Sequence, residues 1–183
     1  NNDTEVISPG AVRSMVFYAM QEGVGAVGAK LLYGDNTIQH AGVTVGVEGR
    51  VIHLYLGTPE DQPGYMGRLV STLEVSAVTG ACLMSKKALY DEVSGMTEEF
   101  TVAYNDVDYC LKLQQKGYRC VYDAYAKLYH YESKSRGYED TKEKQERLQK
   151  EMDLLVSRWP DRMKRDPYYN DNLSLKRGFC LLP

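Results

Sequence analysis

Residues 24–33 read VGAVGAKLLY, an apolar run with two internal glycines that closes on the turn residues Gly34-Asp35-Asn36. Such a run suits a strand buried on both faces, as the strands of a parallel sheet are. Immediately before it, Ser8-Pro9 followed by residues 11–22 predicts a helix. Ser8 is its N-cap, Pro9 stands in the first turn, and Val12, Met15, Val16 and Ala19 make one apolar stripe; Gly23 ends it. After the strand, residues 37–56 (TIQHAGVTVGVEGRVIHLYL) hold β-rich stretches broken by Gly46 and Glu48-Gly49, most simply a hairpin, and the Gly/Pro-rich residues 57–68 form a loop that could act as a flap. Residues 72–84 (TLEVSAVTGACLM) resume a strand whose central glycine marks a bulge or a close backbone approach, and Ser85 caps a short helix running to Val93. A helix is predicted over 106–116, two short strands over YRCVY and AKLYHY, and a charged helix over 139–158 with Leu148, Met152, Leu155 and Val156 as its stripe, before an irregular aromatic tail. Helices alternating with buried strands imply an α/β sheet with helices on its faces.

Length and composition bound the rest. The chain has 183 residues, 43% hydrophobic and 26% charged, with a formal charge of -3, which suits one globular region over 1–183. No internal repeat or composition shift marks a boundary. With 22 basic and 25 acidic residues there is no overall attraction to phosphate backbones, so nucleic acid is not an expected partner. No stretch approaches the ~18 uninterrupted apolar residues of a spanning helix. Cys82, Cys110, Cys120 and Cys180 are widely spaced, without a CxxC pair, which fits a reducing, cytoplasmic setting. The 15 tyrosines outnumber 3 Phe and 1 Trp, so most rings carry a polar tip suited to sheet edges or ligand-facing positions.

Three polar clusters stand out. Asn1-Asn2-Asp3-Thr4 precedes the first helix, where such residues serve turns and caps or ligate a cation. Tyr104-Asn105-Asp106-Val107-Asp108 sets two carboxylates in the first turn of a helix, which the helix dipole favours with or without chemistry. His130 ends a strand that runs into the polar loop 131–137. A carboxylate and an imidazole can together hold Mg2+ or Mn2+ when a substrate diphosphate completes the shell. His40 and His53 have nothing around them in sequence to raise them above structural histidines.

In order along the chain, NNDTEVISPG, VGAVGAKLLYGDNTIQHAGV, VSAVTGACLMSKKALYDEVSGMTEEF, YNDVDYCLKLQQKGYRCVYDAYAKLYHYESKSRG and DPYYNDNLSL resemble the family 2 glycosyltransferases, in particular bacterial enzymes of rhamnan, O-antigen and other polysaccharide assembly. The resemblance covers nearly the whole chain. It implies a GT-A fold, a nucleotide-sugar donor, a glycan or lipid-linked acceptor, a divalent ion (Mg2+ or Mn2+) and inversion at the anomeric carbon. Asp3 matches the last Asp of the family's DxD segment, with Asn1 in place of the first, and His130 its late metal-site histidine. Asp106 matches the general base, with Asn105 where Glu is frequent. Thr79, Gly80 and Ala81 resemble the loop under donor sugar and acceptor, and Arg136 is a candidate contact to the diphosphate.

In that family the nucleoside-binding strands precede the DxD segment, so the chain is expected to correspond to the acceptor-side half of the catalytic domain plus its C-terminal helix, inactive alone. The parent protein would lie in the cytoplasm or at the inner face of the membrane. The strand near 73–84 would then lack a neighbour, and a homodimer through that exposed edge is the expected consequence. A non-catalytic carbohydrate-binding or assembly module keeping the same fold is the alternative, and a metal-dependent hydrolase fits the ordered blocks poorly.

Overall fold

The computed structural model describes residues 1–131, 141–176 and 178–179. Its elements are β1 (Thr4–Val6), α1 (Ala11–Ala19), β2 (Val24–Leu32), β3 (Ile38–His40), β4 (Thr44–Val45), β5 (Val51–Ile52), β6 (Leu73–Val75), β7 (Leu83–Met84), α2 (Lys87–Glu92), α3 (Asn105–Gln115), β8 (Arg119–His130), α4 (Lys142–Arg158) and α5 (Pro160–Lys164). The fold is mixed α/β.

The stretch 24–33 meets its expectation: all nine residues of β2 are buried, and β2 pairs in parallel with β8 at the centre of a six-stranded mixed sheet. Helix α1 buries one face of this sheet through Ala11, Met15 and Ala19, while α3 covers the other through Val107, Cys110, Leu111 and Leu113. The glycines of β2 are packing devices. A Cβ on Gly28 would lie 2.4 Å from Val78 Cβ, and one on Gly25 would lie 2.8 Å from Tyr118 Cβ. Tyr109 and Tyr122 are fully buried rather than at a sheet edge.

Several local expectations are corrected. Helix α1 starts at Ala11 after a left-handed Gly10. The Ser8 hydroxyl caps nothing in it, donating instead to the Tyr125 carbonyl (2.8 Å) and accepting from Lys127 N (2.9 Å). Its buried face is also turned from the predicted stripe, leaving Val12 and Val16 exposed beside Phe17 and Met20. YRCVY and AKLYHY are one strand, β8. Its register with β2 jumps from Ala29↔Asp123 to Lys30↔Lys127, so that 124–126 form a bulge. The hairpin within 37–56 is only β4–β5, since β3 belongs to the main sheet beside β2. Residues 73–84 are three short pieces rather than one strand: β6 on β8, an Ala77–Val43 bridge, and β7 on β2. Helix α2 begins at Lys87 after Lys86. Ser85 donates to Gly25 O (2.6 Å) and accepts from Tyr109 (2.7 Å).

The loop expected to act as a flap is tied down at several points. Lys30 and Lys127 both reach Glu60, the Tyr122 hydroxyl donates to Leu69 O (3.3 Å), and Leu69 is fully buried. Burial pushes the Lys30 ammonium below its ordinary value, and Glu60 opposes that effect. Helix α4 is capped by Thr141, whose hydroxyl accepts from Lys144 N (3.3 Å). Of its predicted stripe, Leu155 is buried and Val156 exposed.

Candidate functional site

The first component comes from strand register. β1 runs antiparallel to β8 with Thr4 opposite His130, and Tyr131 N donates to Asp3 O (2.9 Å). Asp3 stands one residue before the strand, and its Oδ1 lies 3.4 Å from His130 Nε2. That Oδ1 is buried and accepts no hydrogen bond among the described residues. A buried carboxylate oxygen with no donor needs an explanation, and a cation is one of the few that satisfies it. Asn1 Nδ2 stands 3.3 Å from the same Nε2. Asp3 and His130 thus fit as two ligands of a hard divalent ion, with the rest of the shell left to other oxygens. Among the described residues no group of three or more His, Cys, Asp or Glu side chains gathers as a metal site.

The second component is the turn between β6 and β7. Residues Gly80–Cys82 form a single 3-10 turn capped by Thr79, whose hydroxyl accepts from Ala81 N (3.3 Å). Gly80 N donates to Asp106 Oδ2 (2.7 Å), and Val107 N donates to Asp106 Oδ1 (2.8 Å). Of the two alternatives its sequence position suggested, Gly80 is not a bulge but a close approach of the backbone, here to Asp106. A Cβ there would sit 3.4 Å from Asp106 Cβ, against the base candidate itself. Asn105 turns its side chain inward to accept from Asp106 N (2.8 Å), and Tyr104 before it holds a left-handed conformation (φ 61°). Non-glycine residues adopt that region at a cost of ~1–3 kcal/mol and cluster at functional sites.

The two components are joined. Ala81 O accepts from Asn1 N (2.9 Å), and Asn1 touches His130. His130 Nδ1 lies 2.7 Å from Gln39 Oε1, and the next residue, His40, accepts from Thr79 N at Nε2 (3.4 Å). The circuit Asp106, Gly80, Ala81, Asn1, His130, Gln39, His40, Thr79 closes on itself. His40 is fully buried, and burial first and the neighbouring His53 second hold its ring well below the usual pKa. It is neutral, with Nε2 as acceptor and Nδ1 facing His53 Nδ1 (3.2 Å). All three histidines of the chain meet around β3, a convergence that no local sequence signal carries.

Beside this circuit opens a cavity of about 1190 Å³, lined by Gln39, Thr79, Tyr104 and His130 on one side and by Arg50, His53, Tyr55, Met152 and Phe179 on others. It has the size and the mixed aromatic and polar lining of a site for a small-molecule or glycan ligand.

The two carboxylates of the NDVD segment separate. Asp106 faces the Thr79–Ala81 turn. Asp108 is fully buried and holds Trp159 Nε1 (2.8 Å), Arg158 Nε (3.3 Å) and the Thr97 hydroxyl (2.6 Å). The sequence reading also passed over Glu151 of α4, whose carboxylate accepts from Thr101 N, Thr101 Oγ1, Val102 N and Ala103 N. Burial alone would raise its pKa; these hydrogen bonds more than offset that and lower it. Arg136, the expected diphosphate contact, lies outside the described residues, as does most of the polar loop around it.

No protein family profile matches the chain. It is 48% identical over its whole length to the uncharacterized protein y4gI of Sinorhizobium fredii (strain NBRC 101917 / NGR234). It is 35% identical, over 98% of its length, to the O-antigen biosynthesis protein RfbC of Myxococcus xanthus. The chain spans 20% of the first relative and 14% of the second. Among the described residues no helix is long and apolar enough to cross a membrane.

Proposed function

We propose that the chain is the acceptor-side part of a GT-A glycosyltransferase domain of family 2, transferring a sugar with inversion from a nucleotide-sugar donor to a glycan or lipid-linked acceptor in surface-polysaccharide assembly. The observation that carries this reading is the closed circuit, which ties a half-buried Asp106 directly, and His130 through Asn1, to one short turn, with the unsatisfied Asp3 oxygen beside His130 and with Thr79 and His130 lining one cavity. The similarity to a protein named for O-antigen biosynthesis supports the pathway class.

Each side chain has work in such a reaction. Asp106 already accepts one backbone N–H on each oxygen, which aims the remaining lone pairs without neutralising the carboxylate. It takes the proton of the acceptor hydroxyl as that oxygen attacks the anomeric carbon and the bond to the diphosphate breaks on the opposite face. Asp3 and His130 would hold a Mg2+ or Mn2+ ion, which neutralises the charge growing on the departing diphosphate. Tyr104 offers an aromatic face to a sugar ring along the cavity, while Phe179 stacks on Tyr55 and Tyr65 and gives the wall its rigidity. Thr79 and the Gly80 backbone carry the ring above the base.

In the full-length protein, Asp106→Asn lowers kcat by ~10² to 10⁴, the usual worth of a general base, while donor affinity stays within a few-fold. Transfer assays with nucleotide sugars and oligosaccharide or lipid-linked acceptors measure both. Turnover near that of the wild type would remove Asp106 from the role.

A further inference from the structure

The clamp around His130 determines which of its ring nitrogens carries the proton. His130 and Gln39 are both buried, and they meet twice: His130 Nδ1 lies 2.7 Å from Gln39 Oε1, and Gln39 Nε2 lies 3.4 Å from the His130 backbone carbonyl. A carbonyl oxygen only accepts, so the amide edge facing it must be the NH2 group. That fixes the amide the other way round at Nδ1, where Oε1 also only accepts. Nδ1 must therefore bear a hydrogen, and in the neutral ring Nε2 is left with its lone pair. The surroundings of Nε2 agree, since the Asn1 amide nitrogen, a donor, stands 3.3 Å away. Asp3 Oδ1, 3.4 Å from Nε2 and without a donor of its own, then faces a second lone pair. The two acceptors converge with no hydrogen of their own between them, and a cation seated there would take the Nε2 lone pair over from the Asn1 amide.

We infer that Gln39 is a positioning residue, which holds His130 as the Nδ1–H tautomer so that Nε2 and Asp3 Oδ1 converge on a divalent ion. This builds on the reading of Asp3 and His130 as ligands and adds the group that orients one of them. Partners of this kind typically contribute 10- to 100-fold in metal affinity, because they fix the ring and its tautomer before the ion arrives. Gln39 sits on β3, two strands away from β8 in the sheet order, and its side chain reaches His130.

Long-range 1H–15N NMR of the histidine rings in the metal-free protein reads the tautomer directly, and His130→Ala assigns the signal among only three histidines. The expected result is a protonated Nδ1 and a lone-pair Nε2 in the wild type. Gln39→Met should move His130 toward the other tautomer while leaving the His40 signals in place. Titration with Mn2+ in the presence of a nucleoside diphosphate should then show affinity falling by about 10- to 100-fold in Gln39→Met. A protonated Nε2 in the wild type overturns the inference without need of any variant. An unchanged tautomer and unchanged Mn2+ affinity in a folded Gln39→Met protein overturn it equally. The expected tautomer together with no Mn2+ binding by the wild type would support the Gln39 clamp and overturn the reading of the pair as a metal site, so the two failures are told apart.

Discussion

Asp108→Asn tests the division of labour within the NDVD segment. Asp108 is fully buried, and its two oxygens divide four donors between them. Oδ1 faces Trp159 Nε1 at 2.8 Å and Arg158 Nε at 3.3 Å; Oδ2 faces the Thr97 hydroxyl at 2.6 Å and the Lys112 ammonium at 3.8 Å. Asparagine keeps the shape but has one acceptor oxygen. The cheaper orientation leaves that oxygen on Trp159 and Arg158 and turns the NH2 group toward Thr97, whose hydroxyl can rotate to accept. The hydrogen-bond count then nearly survives, but the charge does not. Bonds to an ionised partner contribute ~1.5–3 kcal/mol against ~0.5–1.5 for neutral ones, a difference of about 1–1.5 each, so losing the charge on the three within hydrogen-bond distance costs about 3–4 kcal/mol. Arg158 is partly exposed, which keeps the figure below that for breaking a fully buried ion pair. At ~2–4 °C per kcal/mol for a chain of this size, Tm falls by roughly 5–15 °C. Trp159 is the sole tryptophan, so its emission reports the same contact in the native state and gives the denaturation curve. Asp106→Asn, on the half-buried side of the helix, should cost only ~1 kcal/mol by the same assay, from the one backbone N–H left facing an NH2 group. An Asp108→Asn protein that unfolds within about 0.5 kcal/mol of the wild type, as a surface substitution would, refutes the idea that this carboxylate joins α3 to the end of α4.

Gly28→Ala should destabilise by ~1–3 kcal/mol, since the new methyl would sit 2.4 Å from Val78 Cβ in the centre of the sheet. Pairing it with Val78→Ala should recover part of that loss in urea denaturation, and no recovery would mean that the clash is not the cause. His40 makes stability pH-dependent in one direction. Its folded pKa is depressed, so the unfolded chain takes up its proton first, and stability declines as pH falls below the ordinary value of 6.5. His40→Gln should flatten the stability curve in that range, and an unchanged slope would show that another group carries it.

The buried strand at 24–33 was legible because a short apolar run closed by turn residues suits a doubly covered sheet position, and the order of the blocks brought Asp3, Gly80, Asp106 and His130 into view. What the residues did not reveal is how these are joined. Ala81 reaches Asn1, Gly80 reaches Asp106 and Thr79 reaches His40 through backbone atoms, and a backbone contact leaves no mark on residue type. Gln39 was passed over for a related reason: its partner is 91 residues away. The fate of Asp108 was legible and went unread. Residues two apart on an α-helix are turned by about 200°, so the two carboxylates could not share one face. The rotation of α1 came from Ala11 and Ala19, small residues that let the helix lie close on β2, where Val12 and Val16 would have held it away.

The same helix that supplies Asp108's partners also controls the approach to Asp106 from the other side. Glu151, a little over two turns before Trp159, gathers three successive backbone N–H groups of residues 101–103 on one carboxylate. Tyr104 follows at once in its left-handed conformation, then Asp106. A strained residue of that kind relaxes unless both its flanks are fixed. Here the upstream flank is fixed by Glu151 and the downstream flank by Asp108, and both contacts lead into α4 and its end. Without α4, Tyr104 would be free to leave φ 61°, and the first turn of α3 would swing Asp106 away from the Gly80 N–H. The position of the base candidate is therefore a property of a helix some forty residues further along the chain, and Asp108→Asn should disturb Asp106 through that route even though the two side chains face opposite ways.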